Sequence, residues 1–272
     1  MQFKVIPTPE ILKNDVECIR ITDYNGKGRL AINVCLNGLP GIVFQHNNGR
    51  SPIENITTRL SSVTSIPILY VYGQMTEPGV MNHKPEPFTT TQIVLKPHAL
   101  QSLLGLNASV LTNNLVDLSE FSVGQLNMQL LEARTEQEQL RLLTAFLVKK
   151  LDQARTRDCL VEESLYFIHN NIGCVTVKQL LEHLSLSERQ FEKRFMQAVG
   201  LPPQFYIRVK RFNEAIRLMK TQPFEKLTDV AHSLNYYDQS HFIRDVKAFS
   251  GLTPKSLFQR VDFQADQRVI AY

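Results

Sequence analysis

The sequence predicts an α+β chain: a β-rich first half of barrel or sandwich type with linker helices, then a second half that is helical throughout. Three observations carry this. Up to about residue 95, short β-branched and aromatic runs alternate with turn residues. From Pro97 the apolar spacing shifts to the helical period. After residue 160 the chain repeats itself once, at an offset of 50 to 51 residues.

In the first half RLAINVCLN, GIVFQHN and PILYVYGQM read as strands, punctuated by Asn25-Gly26, Asn48-Gly49 and Pro78-Gly79. HALQSLLG then reads as a helix ending at Gly105. Two more helices are expected between Ser122 and Arg155, the second opened by a Thr135/Glu138 capping box. Leu140, Leu143, Leu147 and Leu151 form a stripe on it that suits either packing onto its own domain or a dimer seam.

Composition bounds the rest. At roughly 150 residues per domain, 272 residues make two domains. With 43% hydrophobic and 21% charged residues, the chain can bury a core and is not expected to be disordered. Cys18, Cys35, Cys159 and Cys174 lack C-x-x-C and zinc-finger spacing, so free thiols in a reducing cytoplasm are expected. No apolar run reaches the ~20 residues that span a bilayer, and no membrane partner is expected. Residues 1 to 159 hold 15 Lys+Arg against 14 Asp+Glu, whereas 160 to 261 hold 14 against 10. That excess suits an anionic partner or a solvated face.

The repeat aligns Leu181, Leu184, Leu186, Phe191, Phe195, Gly200, Leu201 and Pro203 with Ala231, Leu234, Tyr236, Phe242, Val246, Gly251, Leu252 and Pro254. Two copies are too few for a solenoid. Each copy reads as a short helix, a tight turn and a second helix, which is helix-turn-helix anatomy. In the first, Thr176 and Gln179 cap the leading helix and Ser187 is expected to cap the second. At ~100° per residue, Phe191 and Phe195 face inward while Arg189, Glu192, Lys193 and Met196 face out. In the second, Phe242, Val246 and Phe249 face inward, and Ser240, Ile243, Arg244 and Lys247 face out. Between them PQFYIRVKRFNEAIRLMK, stopped before Pro223, makes a rod of about 27 Å. That is near the ~34 Å of one DNA turn, so two such helices can enter successive major grooves. A generic amphipathic bundle is the plainer alternative.

The stretch from about Ser164 to Arg260 resembles the DNA-binding domain of AraC/XylS-type bacterial transcription regulators. The resemblance rests on S-x-R-x-F-x-x-x-F at Ser187 to Phe195, on the rod, and on NYYDQSHFIRDVKAFSGLTPKSLF at 235 to 258. Asn235, Val246 and Leu181 depart from the family's usual Gly, Phe and Ala. The resemblance implies base reading by Arg189, Glu192 and Lys193 in the first unit and by Gln239, Ser240, His241 and Arg244 in the second. Arg pairs bidentately with guanine, and Glu192 can accept from cytosine N4. Ser187, Arg208 and Lys247 are candidates for phosphate contacts.

The resemblance further implies a sensing or dimerisation domain over 1 to 159, expected as a cupin-like barrel or sandwich, a DNA-binding domain over 160 to 261, and a tail over 262 to 272. Its implied partners are double-stranded promoter DNA, with RNA polymerase, a small-molecule effector and a second copy of the chain as further candidates. His46, His83 and His98 are read in loops without a metal-binding spacing, and neither metal nor cofactor is expected. Nucleophile-elbow, phosphate-loop and dinucleotide motifs are lacking, so an enzyme is not expected. A dimerisation or protein-interaction protein without an effector is the competing reading.

Overall fold

Residues with alternating apolar side chains in the first half form two antiparallel sheets. The computed structural model describes residues 1–121, 125–154, 157–221, 227–260 and 270–271. Its strands are β1 (Gln2–Ile6), β2 (Val16–Asn25), β3 (Leu30–Val34), β4 (Gly41–His46), β5 (Ile53–Thr58), β6 (Ser62–Val63), β7 (Leu69–Tyr72), β8 (Gly79–His83), β9 (Pro87–Leu95), β10 (Leu115–Asp117) and β11 (Ile270–Ala271). One sheet runs β1-β2-β9-β4-β7-β10 and the other β11-β3-β8-β5-β6. Ile19, Ile93, Ile42 and Val71 stand in register across the first sheet. Because side chains alternate across a strand, this row faces the helices, while Val43 and Tyr70 turn to the other side and pack with Ile53 and Met81 of the second sheet. The Asn48-Gly49 turn has positive φ at both residues, 49° and 75°, as a two-residue hairpin turn requires.

Helices α1 (Ala99–Leu104), α2 (Leu126–Glu132) and α3 (Glu136–Gln153) cover one face. Gly105 caps α1 in the left-handed region at φ 66°. After Gly105 the chain holds 3-10 turns and strand β10, which extends the first sheet beside β7. Thr135 accepts a hydrogen bond from Glu138 N–H, but the Glu138 carboxylate reaches Arg134 N–H, one residue before the expected partner. Leu143 and Leu147 are completely buried with Leu100, Leu103 and Leu130, and Leu140 and Leu151 pack at the edge of that cluster. The leucine stripe therefore closes the core of its own half.

The second half consists, among the described residues, of α4 (Cys159–Asn170), α5 (Val177–Leu184), α6 (Glu188–Val199), α7 (Pro203–Thr221), α8 (Leu227–Ser233), α9 (Gln239–Ser250) and α10 (Pro254–Arg260). Helix α7 is the expected rod, 19 residues and about 28 Å long. Pro223, expected to stop it, lies outside the described residues. The rod buries Tyr206 and Ile207 in the first unit's core and Phe212, Ile216 and Met219 in the second's. Cys35 and Leu36, from the segment joining β3 to β4, belong to this second core. Of the tail, Ile270 and Ala271 pair antiparallel with Val34 and Asn33 of β3; the rest lies outside the described residues.

Two of the histidines read in loops lie on strands instead, His46 ending β4 and His83 ending β8. His83 is buried against Phe88, their rings stacked at 4.7 Å, and burial lowers its pKa to about 4. No helix of the described residues is long and apolar enough to cross a membrane.

Candidate nucleic-acid interface

Each helix-turn-helix unit is built by the same local chemistry. Helix α5 begins with a full capping box: the Thr176 hydroxyl accepts from Gln179 N–H, and the Gln179 side chain accepts from Thr176 N–H. It ends at Ser185, whose φ of 52° turns the chain back. The equivalent of Ser185 one repeat later is Asn235, at φ 54°. Asn enters the left-handed region at low cost through local hydrogen bonding, so Asn235 makes the turn for which the family uses Gly.

The second helix of each unit presents a sharply divided surface. On α6, Phe191 and Phe195 are fully buried, ring centroids 5.4 Å apart, and Phe195 meets the Tyr206 ring of the rod edge-on at 5.6 Å. Burying such side chains contributes roughly 1.5–3 kcal/mol each. The opposite face exposes Arg189, Glu192 and Lys193 together. On α9, Phe242, Val246 and Phe249 are buried, while Gln239, Ser240, Arg244 and Lys247 are exposed and His241 is half-buried. Asp238 caps α9 by accepting from His241 N–H at 2.6 Å. Ser187 occupies the corresponding position before α6, yet its hydroxyl donates to the Gln190 side chain at 2.9 Å and accepts no backbone bond. The Ser187 hydroxyl is thus exposed beside the first turn of α6.

Arg208 and Lys247, both read as phosphate contacts, are placed differently. Lys247 is exposed on α9. Arg208, on the rod, donates from Nη2 to Asp245 Oδ1 at 2.7 Å, and its guanidinium lies 5.3 Å from the centroid of the Phe249 ring. Asp245 is only 1% exposed, and its Oδ2 has no hydrogen-bond partner among the described residues. His241 Nε2 stands 4.0 Å from Asp245 Oδ1. With Tyr237, which is 91% exposed, and Arg244, these residues line a cleft of about 370 Å³ between rod and recognition helix. Arg244 folds its Nε back toward the Ser240 carbonyl at 3.4 Å. Sequence reasoning missed Asp245. The available signal was its i+4 spacing from His241, which puts both side chains on the flank of α9 rather than its outer or inner face.

A second polar cluster, also missed, lies where the halves join. Asp15 is buried; it accepts from the Ser102 hydroxyl at 2.7 Å and from Arg157 Nη1 at 3.2 Å, with His98 Nε2 3.5 Å away. Burial acts to raise the Asp15 pKa, but the contacts from His98 and Ser102 and the Arg157 charge outweigh it and hold the carboxyl below its ordinary value. Arg157 also pairs with Glu162 of α4, and Asp158 both caps α4 and pairs with Arg194 of α6 at 3.1 Å. Sequence spacing held no signal for it, since Asp15 and Arg157 are 142 residues apart.

Comparison with known proteins bears on both halves. Residues 180–260 match a family described as a helix-turn-helix domain, and residues 4–117 match a domain of unknown function (DUF6597). The chain is similar to the HTH-type transcriptional activator AarP of Providencia stuartii, 26% identical over 104 residues that cover 38% of this chain and 76% of AarP. Among solved structures it is similar to ToxT of Vibrio cholerae strain SCE256 bound to an unsaturated fatty acid, at TM-score 0.48 and 17% identity over 87% of this chain and 92% of ToxT. ToxT of Vibrio cholerae O395 bound to (E)-4-(8-methylnaphthalen-1-yl)but-3-enoic acid is similar at TM-score 0.48 and 15% identity over 93% and 97%. With two helix-turn-helix units on one rod and a helix-turn-helix family matched over residues 180–260, the second half of the chain is an AraC-type helix-turn-helix domain of the kind found in DNA-binding transcription regulators.

Proposed function

We propose that the chain reads two adjacent major-groove half-sites of promoter DNA, one per helix-turn-helix unit, under control of its first half. The observation that carries this reading is the pair of exposed polar faces, Arg189, Glu192 and Lys193 on α6 and Gln239, Ser240, His241 and Arg244 on α9, joined by a rod of about 28 Å. Arg189 and Arg244 are the leading base readers, because a guanidinium matches guanine O6 and N7 bidentately. Ser187 and Lys247 stand beside these faces as phosphate contacts, and Arg208 joins them from the wall of the cleft. The division proposed is a regulatory domain over 1 to 159 and a DNA-binding domain over 160 to 261, in a cytoplasmic protein without catalytic activity. A small-molecule effector, a second copy of the chain and RNA polymerase are its proposed further partners.

The test is selection of bound sequences from a random duplex pool by the full chain at stated salt. A bipartite motif with its halves about one helical turn apart is expected. Recovery of a single short half-site, or no enrichment, would refute two-site reading.

A further inference from the structure

The two recognition helices are tied together twice. The first connection is the rod, which runs from the first unit's core into the second's. The other passes through the β-rich half and reaches the C-terminal end of each recognition helix. Such ends carry backbone carbonyls without partners in their own helix. At the end of α6, Gly200 has φ 84°, and its carbonyl accepts from the Thr112 hydroxyl at 2.6 Å. A Cβ on Gly200 would stand 2.8 Å from the Ala108 carbonyl oxygen. At the end of α9, the Phe249 carbonyl accepts from Leu36 N–H at 3.0 Å, and Pro78 packs on Gly251, which has φ 73°. Asn213 of the rod donates to the Leu36 carbonyl at 3.1 Å, and Leu36 is 1% exposed within the second unit's core. Gly200 and Gly251 are repeat equivalents, so the β-rich half grips the two units at the same structural position.

We infer that Thr112 and Leu36 are positioning residues for DNA recognition: they fix the separation and tilt of α6 and α9, and so set which half-site spacing the protein accepts. Joined by the rod alone, two units can rotate about its ends. Joined also through Ala108–Thr112 and Leu36–Pro78, they form a closed loop of contacts that resists such rotation. These contacts leave the outward faces open, with Arg189, Glu192, Lys193, Gln239, Ser240 and Arg244 all exposed. An effector that altered either grip would act on spacing without touching DNA. The inference rests on the two-half-site reading above.

The experiment uses the full chain and duplexes carrying its selected operator with the half-sites at their natural spacing or separated by one or two further base pairs. Thr112→Val deletes the hydroxyl donor at nearly constant volume, and Thr112→Ser keeps it. Thr112→Val is expected to shrink the preference for natural spacing by about fivefold, the scale of one lost hydrogen bond, with affinity for a single half-site unchanged. Thr112→Ser is expected to keep the wild-type profile, and Leu36→Ala, which keeps the backbone N–H but removes the side chain that seats the second grip in the second unit's core, to broaden the profile as Thr112→Val does. A Thr112→Val profile equal to wild type, or one shared with Thr112→Ser, would overturn the inference. If the wild-type chain itself shows no dependence on spacing, the two-half-site reading fails, and that result is visible before any variant is compared.

Discussion

Replacing Arg208 by Met separates its structural role from its role on DNA. The guanidinium is the partner of a carboxylate that is 2% exposed at its side chain, while Arg208 itself is 36% exposed. Removing one member of a buried pair costs about 3–5 kcal/mol because the other charge is stranded. Partial exposure of Arg208 screens the pair, which brings the expected loss to about 2–3 kcal/mol. Part of that loss is packing, since the guanidinium covers the Phe249 ring. Arg208→Met/Asp245→Leu removes both charges and should recover most of the stability, because an apolar pair of similar volume replaces a desolvated ion pair at little cost. Urea unfolding followed by helical circular dichroism measures each variant. If Arg208→Met loses less than about 0.5 kcal/mol, or if the double variant is no more stable than the single one, the carboxylate is not stranded and the argument fails. The same variants report on DNA: a phosphate contact by Arg208 would lower the slope of log affinity against log salt by about 0.9 in both.

Three further outcomes are expected. Arg244→Ala should lower specific affinity by ~1–3 kcal/mol and relax one base position in the second half-site; competition with single-base operator variants checks it, and unchanged preference would remove Arg244 from the readers. Lys247→Ala should weaken all sequences alike and flatten the salt dependence by about 0.9, measured by titration at several salt concentrations. His83 has a pKa of about 4 when folded against ~6.5 unfolded, so the unfolded state binds the extra proton between these values. Its contribution to stability is complete above ~6.5 and declines as pH falls toward 4, by about 2 kcal/mol between pH 7 and 5. Urea unfolding of wild type and His83→Gln at the two pH values tests this, and an equal pH dependence in both would contradict it.

The helical half was legible in the sequence because its determinants are local. Phe191 and Phe195 at i and i+4 select the buried face of α6, the Thr176/Gln179 capping box starts α5, and a left-handed residue turns each unit. The exposed readers follow from the same wheel. Local chemistry also marked the turn between β4 and β5 at Asn48-Gly49 and the cap at Gly105. It left the partners of strands unresolved, since β4 pairs with β9 and β7 through ladders whose residues lie far apart in the chain.

What the sequence by itself determined is therefore the helices of the second half and the polar face of each recognition helix, since periodicity and capping act over a few residues. The tertiary structure alone decided which way shared features resolve. The leucine stripe of α3 suits two partners equally by pattern, and the sheet beside it takes it into the core. Arg208 looks like any exposed rod cation until α9 brings a buried carboxylate to 2.7 Å. The grip of Thr112 on Gly200 and of Leu36 on Phe249 joins residues 88 and more than 200 positions apart. Such contacts depend on how whole layers pack, which no local period encodes.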